Sequence, residues 1–169
     1  MPPHETPSES SSTPASSVPY RERWFEDYVV GETARFGDTR VSEAEVLDFA
    51  GRFDPQSFHL DAQAARESIY GGIIASGWHT ASMAMRMMVD HYISTQASMG
   101  SPGIDELRWL RPVRPGDRLR MQVTVIDSRA SQSKPDRGMV QFLQEVLNQD
   151  DVTVMTLKGW GMYRRRPQA

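Results

Sequence analysis

No cysteine occurs anywhere in the 169-residue chain. That absence excludes disulfides, thiolate nucleophiles and thiolate metal sites together, and it fits a reducing, cytoplasmic setting. Lysine is scarce as well, standing only at Lys134 and Lys158, so arginine carries nearly all of the positive charge. A formal net charge of −3 argues against a general nucleic-acid binder. No apolar run reaches the roughly 18 residues that a membrane span requires. The opening stretch MPPHETPSESSSTPASSVPY has neither the charged start nor the apolar centre of a secretory signal. There is no G-x-x-x-x-G-K, no G-x-G-x-x-G and no G-x-S-x-G, so nucleotide-phosphate and nucleophile-elbow chemistry lack their usual frames. His59, His79 and His91 have no H-E-x-x-H or comparable spacing, and no metal site is expected.

What is present has ordinary apolar and charged content, enough for one domain with a real core. Residues 1–22 are Ser/Pro-rich with almost nothing to bury, and are expected to be a disordered tail. Residues 23–166 form the expected folded unit. Within it, 34–41 reads as a strand. Ser42 and Glu45 have the S-x-x-E spacing of a capping box, opening a helix that buries Val46, Leu47, Phe49 and Ala50. That helix should end at Phe53, because Asp54 precedes Pro55 and a residue before proline leaves the α region. Asp61 can cap a short helix over 62–68. A glycine-punctuated loop, YGGIIASG, then leads into WHTASMAMRMMVDHYI, which is apolar on nearly every side and therefore reads as a buried central helix.

After this helix the apolar period changes to two. Leu119, Met121, Val123 and Val125 alternate with Arg118, Arg120, Gln122 and Thr124, and strands are expected over 104–113, 118–128, 139–148 and 152–164. Helices first and strands afterwards indicate an α+β fold with an antiparallel sheet. A highly curved sheet wrapped around one long central helix is the hotdog arrangement.

The most unusual stretch is FDPQSFHLD, where Asp54 and His59 lie five residues apart in a short, proline-broken connector. Together with YGGIIASGWHTASM and LRWLRPVRPGDRLRMQV, in this order and spacing, it resembles the MaoC-like dehydratases, a family that includes (R)-specific enoyl-CoA hydratases with a hotdog fold. The resemblance covers essentially residues 24–165. The family pattern is commonly D-x-N-P-x-H. Here the Asp-to-His interval is kept while Pro55 follows the Asp directly, and Ser76, where a His often stands, precedes Gly77.

The resemblance implies hydration of a trans-2-enoyl-CoA, or dehydration of the (R)-3-hydroxyacyl-CoA, in a homodimer with its acyl pocket near the interface. It implies no cofactor. Such a reaction needs a group that deprotonates water, a proton for the α-carbon and a donor for the thioester oxygen. Asp54 and His59 are the expected acid–base pair, sharing one water, with partial desolvation bringing their pKa values toward neutrality. Gly77 is the expected oxyanion contact, at a helix N-terminus where N–H groups are unpaired. Gly71, Gly72, Ser76 and Trp78 are expected around the acyl chain. Arginines between 108 and 120 are candidates for the phosphates of coenzyme A, although a solvated strand face is the simpler reading for any one of them. His79 is more simply a packed, hydrogen-bonded histidine than a pocket residue. Two rival functions remain. One is a hotdog thioesterase, which lacks an acidic residue in the helix before Asp90 but has Glu67 as a substitute. The other is a non-catalytic acyl-thioester binder.

Overall fold

The computed structural model describes residues 15–168. Five strands, β1 (Thr33–Arg40), β2 (Gly103–Trp109), β3 (Arg118–Ala130), β4 (Arg137–Leu147) and β5 (Thr153–Arg164), form one sheet in the order β1-β3-β4-β5-β2. Every pairing is antiparallel. Four helices accompany it: α1 (Glu43–Phe53), α2 (Ser57–Leu60), α3 (Ala62–Glu67) and α4 (Gly77–His91). The class is α+β, with the sheet curved around α4 as in a hotdog.

Local chemistry accounts for most boundaries. Ser42 Oγ accepts the Glu45 N–H at 3.1 Å and starts α1. Asp54 ends it, with φ −151° imposed next to Pro55. Asp61 accepts the Ala64 N–H at 2.8 Å and starts α3. In β3 the alternating residues Leu119, Met121, Val123 and Val125 are fully buried against α4 and the rest of the core. β1 comes close enough to α4 that a side chain at Gly37 would collide with Met87, its Cβ lying 2.5 Å from the sulfur. Gly37 has φ +80° and stands where the β1–β3 register shifts, so the bulge needs a glycine for two reasons.

The structure corrects the expectation for the central helix. His79, Thr80, Met83, Ala84, Met87 and Met88 are buried, but Trp78, Met85 and Val89 are 56%, 50% and 47% exposed. They recur at i, i+7 and i+11 and form one stripe. The sheet sheathes one face of α4 and leaves the other open, beside the edge strand β2. No helix among the described residues is long and apolar enough to cross a membrane.

Part of the Ser/Pro-rich stretch lies among the described residues. Residues 1–14 of the expected disordered tail lie outside the described residues, but 15–22 do not. Arg23 is buried, donating to both carboxylate oxygens of Glu32 at 2.7 Å and to the carbonyls of Val18 and Ser16 at 3.0 and 3.2 Å. Its guanidinium lies 4.1 Å from the Tyr20 ring centre. A buried, fully bonded arginine thus ties the stretch before residue 23 to the core. At the other end, Arg165 and Arg166 pair with Glu26 and Asp27 at 2.9 and 2.7 Å.

Removing one partner of a buried ion pair leaves the other charge uncompensated. Glu32→Ala is expected to cost ~3–5 kcal/mol in a urea unfolding titration. A cost under ~1 kcal/mol, the range of exposed pairs, would show that Arg23 does not hold this end of the domain.

Candidate active site

The connector between α1 and α3 builds one wall of the site. Asp54 turns the chain at the end of α1, and its carbonyl accepts the Gln56 N–H at 2.8 Å. The next residues, expected as a loop, form the single turn α2, which carries His59 at its base with 3% exposure. The second wall is the segment leading into α4. The Ile74 N–H bonds the Phe58 carbonyl at 3.4 Å, and the Ala75 N–H bonds the Val113 carbonyl at 2.8 Å. Ser76 is fully buried as the N-cap of α4.

Asp54 and His59 meet where these walls join. His59 Nε2 lies 3.2 Å from Asp54 Oδ2. His59 Nδ1 lies 2.7 Å from the Ile74 carbonyl. A carbonyl can only accept, so Nδ1 carries a proton and Nε2 is the nitrogen free to exchange one. Ser76 Oγ donates to Asp54 Oδ2 at 2.7 Å, and Gln56 Nε2 donates to Asp54 Oδ1 at 2.7 Å. Burial pushes the Asp54 carboxyl up, but the bonds from Gln56 and Ser76 and the neighbouring imidazole outweigh it and hold it below its ordinary 3.8. A near-neutral pKa was expected for this aspartate. The structure reverses it, because a carboxylate surrounded by donors is stabilised in its charged form.

These groups open onto a cavity of about 540 Å³ whose walls include Asp54, His59, Gly77, Trp78, Thr80 and Trp109. Gly77 occupies the first position of α4. A Cβ there would lie 2.3 Å from the indole of Trp109, whose Nε1–H donates to the Gly77 carbonyl at 2.9 Å. The glycine therefore makes room for an indole as well as for any ligand. Trp109 and Gln56 were not singled out from sequence. Gln56 lies within the motif and was open to notice as a second donor to Asp54. Trp109 reaches Gly77 across 32 positions, and no local pattern signals that.

The other expected residues divide. Trp78 lines the cavity and meets Trp109 edge-to-face, with ring centres 5.3 Å apart. Ser76 touches Asp54 and presents no exposed surface of its own. Gly71 and Gly72 shape the preceding loop outside the cavity wall: Gly71 has φ +67°, and a Cβ on Gly72 would lie 3.4 Å from Arg114. Arg114 in turn donates to the Tyr70 carbonyl at 2.5 Å. Glu67 is exposed and bonded by Gln63 at the end of α3, away from the cavity wall. Among the described residues no cluster of three or more His, Asp or Glu could hold a metal.

Comparison with known proteins places the chain in a family. Residues 27–156 match the model of the MaoC like domain. The chain belongs to that family. A solved MaoC-like dehydratase from Rhodospirillum rubrum is 41% identical and covers 86% of this chain and 99% of its own, with a TM-score of 0.80. The mesaconyl-CoA hydratase of Cereibacter sphaeroides is 40% identical over 67 residues, 40% of this chain, and the match spans about a fifth (19%) of that protein's length. A Mycobacterium tuberculosis protein with a double hotdog fold is 18% identical, with a TM-score of 0.76 over 90% of this chain and 47% of its own. That likeness concerns the fold alone.

His79, on α4, is not part of the cavity wall. It is 8% exposed and stacks on Phe49 of α1, with ring centres 4.8 Å apart. Its Nδ1 has no hydrogen-bond partner among the described residues, which corrects the expectation of a bonded histidine. Burial pushes its pKa below the ordinary 6.5, with Glu45 pulling weakly the other way. The unfolded chain therefore binds this proton more readily than the folded one. The stability at stake is present above the unfolded pKa of about 6.5 and is lost as pH falls below it. Wild type should lose stability from pH 7 to pH 5.5 more steeply than His79→Phe in parallel thermal unfolding. Equal slopes would mean that His79 is as readily protonated folded as unfolded.

Proposed function

We propose that this chain is a hydro-lyase acting on enoyl-CoA thioesters, hydrating a trans-2-enoyl-CoA to the (R)-3-hydroxyacyl-CoA or running the reverse dehydration. The observation that carries this reading is the 3.2 Å contact between His59 Nε2 and Asp54 Oδ2 within one cavity, beside the N-terminus of α4. The 40% identity to a mesaconyl-CoA hydratase over 67 residues supports the same reaction type.

In this mechanism a water sits against Asp54 and His59. Its oxygen bonds to the β-carbon of the substrate, and one of its protons passes to the pair. Nε2 is the suitable base, because Nδ1 is fixed on the Ile74 carbonyl and Asp54 is already stabilised as an anion. Electron density moves through the conjugated system to the thioester oxygen. The Gly77 N–H, together with the dipole of the 15-residue helix α4, stabilises that charge. The α-carbon then takes a proton, so that one water has been added and nothing has been oxidised or reduced. No cofactor enters this balance.

We also assign the open stripe of α4 and the edge strand β2 to a homodimer interface. Ile104 and Leu110 on and beside β2 are 53% and 51% exposed, continuing the apolar surface of Met85 and Val89, and an uncovered sheet edge favours pairing. This face adjoins Trp78 and Trp109, which puts the cavity beside the dimer contact. The thioesterase reading loses weight because Glu67 lies away from the cavity wall. The non-catalytic binder is separated by experiment.

Asp54→Asn and His59→Gln should each slow hydration at least about thirtyfold, ~2 kcal/mol in the barrier, with the fold intact by circular dichroism. Hydration is read as loss of enoyl absorbance across a panel of chain lengths, with a thiol reagent reporting CoA release in parallel. Thiol release without hydration would make the protein a thioesterase, and binding without either would make it a binder. Because Asp54 is held below 3.8, its protonation should impair the rate only in strongly acid solution. If Asp54→Asn shifts an acid limb centred near neutrality, Asp54 is not in the state described.

A further inference from the structure

The segment LRWLRPVRPGDRLR carries five arginines, and their surroundings differ. Arg108 pairs with Glu106 at 3.0 Å and Arg120 with Asp151 at 2.9 Å. Arg118 holds Asp38 through two nitrogens. Arg114 donates to the Tyr70 carbonyl at 2.5 Å. Arg111 differs from all four. It is exposed, it lines the Asp54–His59 cavity, and its guanidinium has no ion pair or hydrogen bond among the described residues. The carboxylate in that cavity, Asp54, already receives Gln56 and Ser76 and lies against His59 Nε2. The remaining walls are largely aromatic and aliphatic, with Phe58, Tyr70, Ile74 and Leu110 among them.

The backbone that carries Arg111 is well anchored. The N–H groups of Leu110 and Arg111 both bond the Val154 carbonyl, at 2.8 and 3.2 Å. Pro112 follows and limits the chain further. The Val113 carbonyl accepts the Ala75 N–H at 2.8 Å, on the segment that leads into Gly77. A guanidinium on an anchored loop at the cavity, paired with no protein anion among the described residues, is a fork for a carboxylate or phosphate.

We propose that Arg111 is the specificity-determining residue of this cavity and binds an anionic group of the substrate, either a phosphate of coenzyme A or a carboxylate on the acyl part. This rests on the thioester reading of the cavity but not on turnover. It separates Arg111 from its four neighbours, whose guanidinium groups are occupied within the protein.

The test is equilibrium binding, read by the fluorescence of Trp78 and Trp109 in the cavity wall. Wild type, Arg111→Gln and Arg111→Lys are titrated with crotonyl-CoA, with crotonyl-pantetheine, which lacks the phosphates, and with an enoyl-CoA bearing a terminal carboxylate. A phosphate contact predicts that Arg111→Gln weakens crotonyl-CoA about tenfold, while the preference for it over crotonyl-pantetheine collapses. A carboxylate contact predicts instead that only the preference for the carboxylated thioester collapses. In either case Arg111→Lys recovers part of the loss, since it keeps the charge but not the fork. Affinities within twofold of wild type for all three ligands would overturn the proposal, as would failure of wild type to bind any of them. Enoyl absorbance followed in the same samples reports hydration separately. Loss of anion preference without hydration would uphold the Arg111 site and reject the hydro-lyase.

Discussion

Two side chains in contact, Asp54 and His59, are held together by groups from elsewhere in the chain, and the site depends on that contact. Neither residue could keep its orientation alone. Asp54 is aimed by the break in α1 before Pro55 and tethered by Ser76, 22 positions away. His59 is aimed by the single turn α2 and tethered by the carbonyl of Ile74, 15 positions away. Both tethers belong to the segment that becomes the N-terminus of α4. The packing of α4 into the curved sheet therefore sets the alignment of Asp54 and His59, and the N-terminus of α4 moves with it.

This coupling explains why the carboxylate is stabilised as an anion. In a partly buried site an isolated Asp would be driven toward its neutral form. Here Ser76 and Gln56 satisfy it from two sides. In the proposed mechanism the aspartate remains an anion and the imidazole exchanges the proton. That proposed division follows hydrogen-bond direction, since the Ile74 carbonyl accepts from Nδ1 and leaves Nε2 facing Asp54.

Much of this was legible in the sequence where the determinant is local. The capping box at Ser42, the stop at Asp54-Pro55, the Asp61 cap and the alternation around Leu119–Val125 each depend on residues within a few positions, and the helix and strand boundaries they imply match the structure to within a residue or two. The motif brought Asp54, His59 and Gly77 into view as candidates. Less legible was whatever depends on distant partners. The indole of Trp109 over Gly77 and the burial of Ser76 require the sheet and α4 to be assembled. Composition marked α4 as apolar on every side, but it could not say that one stripe would stay open beside β2. The Ser/Pro-rich start concealed an ordered portion because its anchor, Arg23, lies beyond it and reaches back.

The central claim is that Asp54 and His59 act as one unit on a shared water. A double-mutant cycle on hydration tests it most directly, with Asp54→Asn, His59→Gln and the combined variant compared under one set of conditions. If the pair acts together, the combined variant should be about as slow as the slower single variant, because the first substitution already dismantles the arrangement. If the two rate losses multiply, each side chain acts independently, and the shared-water account is contradicted.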